Sequence, residues 1–138
     1  MKIRLTRNEN VHFTAVTESG HTVELDGSAA IGGENKGGRP MEMVLAGLGG
    51  CSAIDVMSTL KKSRQQVTDC VIDIDAERAD AIPAVFTRIH VQYTLSGNNL
   101  DPKKVDRAVT LSMEKYCSVT RMLEKTATIT HDFKIVDD

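Results

Sequence analysis

Two of the three cysteines, Cys51 and Cys117, stand where a thiol can be reactive. Cys51 follows Gly49-Gly50 inside a long apolar run. Cys117 precedes Ser118, a good helix cap. A thiol that begins a helix, or lies beside a break in one, faces unpaired backbone N–H groups that favour the thiolate. The thiolate, not the thiol, is the nucleophilic form of cysteine. The same residues admit a plainer reading, with Cys51 as a small core hydrophobe. Cys70 alternates with Ile72, Ile74 and Ala76 on the apolar face of a predicted strand and reads as structural.

Other chemistries find less support. There is no Cys-x-x-Cys or His-x-x-x-His, and His12, His21, His90 and His131 fall in four separate predicted strands, so no metal site is expected. His131 lies on an apolar face and reads as a satisfied core histidine. No Gly-x-Ser-x-Gly elbow occurs. Gly37-Gly38-Arg39 precedes a helix start, as a phosphate cradle would, but neither glycine-rich phosphate motif is complete. Arg39 is the strong anion-pairing group of that segment.

The elements that must hold these cysteines follow from periodicity. Gly38–Leu60 is the organising stretch. Between Met41 and Leu60 only Glu42 and Asp55 are charged, and Pro40 suits a first helical turn. Apolar residues fall on every face, which predicts a helix buried all round, running to about Arg64. The uncharged run Met43–Ile54 is too short to span a bilayer. The glycines near Cys51 each cost up to about 1 kcal/mol in a helix, so a close backbone approach or a local break is expected there. Three short strands precede the helix, with Ile3, Leu5, Val11, Phe13, Ala15, Val23 and Leu25 facing inward. The loop 26–39, rich in glycine, has the length of a lid or binding segment. After the helix, two strands are predicted at 70–77 and 88–95, the second compatible with a sheet edge. Asp101-Pro102 starts a second helix with Val105, Ala108, Val109, Ser112, Met113 and Tyr116 as its buried stripe. A short third helix follows from Val119 to Lys125, capped by Ser118. A last strand runs through Ala127, Ile129, His131, Phe133 and Ile135.

Composition bounds the rest. A chain of 138 residues with 41% hydrophobic and 26% charged residues is expected to form one domain, residues 1–138, with a real core. A net charge of −2 offers no basic excess for nucleic acid. MKIRLTRNEN has no apolar signal region, and an odd number of cysteines suits a reducing cytosol, so a cytoplasmic protein with no membrane partner is expected.

Pro40-Met41-Glu42 followed by LAGLGGC up to Cys51, KYCSV around Cys117, the 66-residue interval from Cys51 to Cys117 and the element order together resemble the OsmC/Ohr family of thiol-dependent hydroperoxide reductases. MEMVLAGLGGCSAIDV is most similar to a small bacterial branch of it. The resemblance implies an α+β intertwined homodimer, with antiparallel sheets wrapped around paired cysteine-bearing helices. It implies Cys51 as the peroxidatic thiolate and Cys117 as the resolving thiol, through an intramolecular disulfide that an external dithiol reduces. Organic hydroperoxides would be the substrates, with no bound cofactor. The family also uses an arginine and a glutamate beside the thiolate. The glutamate position, ten residues before the first cysteine, is Met41 here, and Glu42 lies nine before. Nine residues at 100° each is half a turn off the Cys51 face of an unbroken helix. Arg39, Arg4 and Arg7 are the candidate arginines, with Arg39 preferred beside the glycine loop. A non-catalytic dimeric binding module and a redox sensor are the competing readings.

Overall fold

A computed structural model describes all residues, 1–138. The chain forms two compact units, Met1–Ala46 and Gly47–Asp138.

The first unit is an antiparallel sheet of β1 (Ile3–Glu9), β2 (His12–Thr17) and β3 (Thr22–Leu25), in that order. Leu5 pairs with Ala15, and Ala15 with Val23, while Phe13 pairs with Leu25. Directly paired residues share a face, so the predicted apolar face forms as expected. Yet Ile3 and Leu5 are more than half exposed, and Ala15 is the one hydrophobic residue of the three strands that is fully buried. The opposite face carries a polar cluster in which Thr14 donates to Glu24 and His12 pairs with it. His21 precedes β3 instead of opening it.

The glycine-rich loop 26–39 is ordered by Asp26. Its buried carboxylate accepts backbone N–H groups from Gly27, Glu34 and Lys36 at 2.8–3.1 Å. Those bonds, Lys36 first, hold its carboxyl below the usual range. A 3₁₀ turn at Ala29–Ile31 completes the segment, which is therefore a pinned loop and not a structureless lid.

Helix α1 (Pro40–Lys62) runs unbroken through all three of its glycines, so the break that the sequence allowed is absent. Nor is the helix buried all round. Leu48, Ser52, Val56 and Leu60, spaced by four, form one fully buried stripe, while Ile54 is 72% exposed. At 23 residues it is long and apolar enough to cross a bilayer, but that stripe is part of the core of the second unit. Gly49 has the packing reason expected of a helix glycine: a Cβ there would lie 3.1 Å from Ile74 Cδ1. Gly47 and Gly50 face open space.

The second unit continues with β4 (Gln66–Arg78), β5 (Phe86–Asn98), α2 (Pro102–Leu111), α3 (Ser118–Leu123) and β6 (Thr128–Asp137). Its sheet has the order β4-β5-β6. β4 and β5 form a long antiparallel hairpin, but β5 and β6 are parallel. The sheet is mixed, not antiparallel throughout, and β5 is its central strand, not an edge. The helical crossover through α2 and α3 brings the chain back to start β6 in the same direction as β5. Ile89, Val91, Tyr93 and Leu95 of β5 are completely buried, with Val105, Ala108 and Val109 of α2. Asp101 caps α2 by accepting the Lys103 N–H at 2.9 Å.

After α2 the chain takes one π-helical turn, Ser112–Tyr116, closed by the Cys117 N–H donating to Ser112 O at 2.8 Å. The wider turn shifts the helical phase. Ser112 and Met113 stay buried as the stripe predicts, but Tyr116 is half exposed.

Candidate functional site

Cys51 and Cys117 come together in the second unit. Their sulfurs and a carboxylate oxygen of Asp55 all lie within 4.8 Å of one another. Cys51 and Asp55 are four residues apart on α1, hence on one face. Cys117 arrives from the other side, carried by the π turn. The approach is made possible by small residues: Ser52 Oγ lies 2.9 Å from Ser112 Oγ. Gly49 faces β4, so the glycines do not serve the helix approach that the sequence suggested.

The two thiols differ in setting. Cys51 is half-buried, and Cys117 is completely buried. Cys117, not Ser118, is the cap of α3, and its sulfur accepts the Thr120 N–H at 3.5 Å. Burial nevertheless outweighs the Thr120 bonds and pushes the Cys117 thiol up. The sequence expectation of a favoured thiolate at Cys117 is thus corrected: one long N–H···S contact does not replace lost water. Cys70 is half-buried on the expected strand face, and desolvation, then Asp69, raise its thiol.

Beneath the thiols lies a hydrogen-bonded polar group that sequence reasoning missed. Ser52 Oγ bonds to the Tyr93 hydroxyl and to Ser112 Oγ, and Ser112 Oγ also lies 3.3 Å from Asp55 Oδ2. The signal for Asp55 was available, as the i, i+4 partner of Cys51. Nothing local marks Ser112 or Tyr93. Burial pushes the Tyr93 hydroxyl up to about 12. Its neutral form is therefore favoured by folding. The stabilisation is complete below the unfolded tyrosine value near 10 and is lost as pH rises toward 12, with a size of order 2 kcal/mol. The thermal midpoint should fall over that window, and the fall should be shallower in Tyr93→Phe. An equally steep fall in the variant would assign the effect to other groups.

Beside Asp55 opens a cleft of about 620 Å³ lined by Ser58, Thr59, Lys62, Arg107, Leu111 and Tyr116. The remaining candidates lie in the first unit. Glu42 accepts the Arg39 backbone N–H at 2.7 Å, capping the start of α1. The Arg39 guanidinium donates to Asn35 Oδ1 and Gly37 O at 3.4 and 3.3 Å. Arg7 Nε donates to Asn10 O at 2.9 Å.

Known proteins with this architecture narrow the field. Protein YhfA of Escherichia coli K12 is 44% identical over 136 residues, covering 99% of this chain and 98% of YhfA. A hypothetical protein of Aquifex aeolicus has a crystal structure 30% identical in sequence, with TM-score 0.87 over 99% of this chain and 96% of that one. The organic hydroperoxide resistance protein OhrB of Bacillus subtilis shares the fold at TM-score 0.64 and 18% identity, with 96% of each chain covered. The profile of OsmC-like proteins matches residues 33–132. With that profile spanning most of its length and the cysteine pair assembled at its centre, the chain belongs to the OsmC-like protein family.

Proposed function

We propose that the protein is a thiol-dependent reductase of organic hydroperoxides. The observation that carries the reading is the convergence of a half-exposed Cys51 and a buried Cys117 from 66 positions apart. An accessible thiol can meet a peroxide, and a sheltered one beside it can resolve the product. Cys51 attacks the O–O bond, releases an alcohol and becomes a sulfenic acid. Cys117 then displaces water to form the disulfide, and an external dithiol returns both thiols. Because unbroken α1 sets Glu42 half a turn off the Cys51 face, the reading keeps Glu42 and Arg39 as the candidate glutamate and arginine only through pairing across a homodimer, and it takes a reducing cytoplasm as the compartment. Stopped-flow consumption of cumene hydroperoxide and hydrogen peroxide with a dithiol tests it. Turnover faster with the organic peroxide is expected, and no turnover of either would reject it.

The cleft beside Asp55 favours one second reading, a binding or redox-sensing protein. Tight ligand retention without turnover would select it.

Both readings include a homodimer. The first unit buries almost no hydrophobic surface, though its sheet presents Ile3, Leu5 and Val23, and α1 exposes Ile54 and Met57. A unit of 46 residues cannot hold such a sheet without cover. Light scattering should give the dimer mass at micromolar concentration. A folded monomer there would remove the dimer from the proposal.

A further inference from the structure

Building on the two-cysteine reading, we propose that Asp55 is the proton acceptor that lets Cys117 attack Cys51. A buried thiol must lose its proton before it can act as a nucleophile. No Lys, Arg or His is hydrogen-bonded to Cys117. Its polar contacts are the Leu48 carbonyl at 4.0 Å, the Thr120 N–H at 3.5 Å, the Thr120 side chain and the Cys51 thiol. A carbonyl, an N–H and a hydroxyl are no bases, and Cys51 is the sulfur to be attacked. The Asp55 carboxylate, within 4.8 Å of both sulfurs, is the group that can accept the proton. A side-chain rotation or a single water closes that gap.

Asp55 is held for this work. Ser112 Oγ sits 3.3 Å from Oδ2 and is itself fixed by Ser52. The carboxylate forms no ion pair, so its remaining lone pairs are available. It also borders the cleft of about 620 Å³, which gives proton and water a way out. The groups that face it are Cys51, Cys117 and Ser112, with Tyr93 behind Ser52, and Lys62, Arg107 and Tyr116 around the cleft.

The step balances within the site. The Cys117 S–H bond breaks and its proton passes to Asp55. The Cys117 sulfur bonds to the Cys51 sulfur, and the Cys51 S–O bond breaks. The departing hydroxide takes the proton from Asp55 and leaves as water. Cys51 sulfur is reduced as Cys117 sulfur is oxidised, so resolution needs no outside oxidant. The proton that Asp55 takes is the one on Cys117, so its benefit falls on resolution, not on the first attack.

Exchange with 5,5′-dithiobis(2-nitrobenzoate) tests the role without peroxide, using Cys70→Ser protein in chelator. Cys51 releases one thionitrobenzoate as it is capped, and Cys117 releases the second as it closes the disulfide. Asp55→Asn keeps an oxygen for Ser112 but accepts no proton. It should slow the second release about 100-fold at pH 7, within the range of general-base effects, without slowing the first. Its second-release rate should climb about tenfold per pH unit, whereas the rate with Asp55 present stays nearly flat. Asp55→Glu, which retains a carboxylate, should stay within about fivefold of the parent and covers the case that the asparagine variant folds poorly. A second release as fast in Asp55→Asn as in the parent, or faster, would overturn the proposal by leaving Asp55 a repelling charge only. So would an equal loss in Asp55→Glu. If peroxide gave no sulfenic acid while these exchange results held, the hydroperoxide reading would fall and the role of Asp55 would stand.

Discussion

Cys51→Ser should lower the second-order rate of cumene hydroperoxide consumption by about 10³-fold or more, because a serine hydroxyl is not ionised near neutral pH and cannot replace a thiolate nucleophile. The substitution removes little packing, since Cys51 is only half-buried and the adjacent Ser52 supplies the buried contacts of that turn. The unfolding midpoint should hardly move, which separates lost chemistry from lost structure. Cys70→Ser is the matched control. Its thiol is raised by burial and by Asp69, so its loss should change the rate less than about twofold. Stopped-flow traces with a dithiol in excess measure all three proteins. Residual turnover in Cys51→Ser near the wild-type rate would move the reaction to another group.

The second large effect concerns the fate of the oxidised thiol. One equivalent of hydroperoxide should remove two of the three free thiols and yield a Cys51–Cys117 peptide by mass spectrometry. The sulfurs, within 4.8 Å, have less than about 3 Å to close before reaching bonding distance. Cys117→Ser should instead leave a sulfenic acid at Cys51 that a second equivalent carries to sulfinic acid. Cys117 found free after wild-type oxidation, or subunits joined through Cys51, would end the resolving role and favour the binding reading.

The legibility of this chain in its sequence divides along physical lines. Strand faces were plain because side chains alternate with period two: Ile89, Val91, Tyr93 and Leu95 are all buried as read. The Asp101-Pro102 helix start was plain because capping is local. Alternation does not encode which strand lies alongside or in which direction, so the parallel β5–β6 pair and the central place of β5 were not legible. The π turn was hidden for a related reason. One extra residue per turn has no signature in SMEKY, yet it decides that Tyr116 points away from the core and that Cys117 meets Cys51. The apolar character of α1 reads as burial all round, whereas within this chain full burial is confined to the Leu48–Ser52–Val56–Leu60 stripe and Gly49. Cysteine reactivity was half legible. Helix position could be inferred, but desolvation of Cys117 depends on neighbours brought from β5 and α1.

The parallel strand at the end of the chain also orders events in time. The β4–β5 hairpin is sequentially local and can zip early. β6 can join only after residues 99–127 have folded back across the sheet, a non-local closure that is intrinsically slow. Cys117 travels in that late segment, so for much of folding it is far from Cys51. Cys70 is 19 positions from Cys51 against 66 for Cys117, which favours the shorter ring by roughly 1 kcal/mol in an unstructured chain. An oxidant present during folding would therefore join Cys51 to Cys70 first and block the native sheet. Faithful assembly of the thiol pair needs every cysteine kept reduced until β6 has docked.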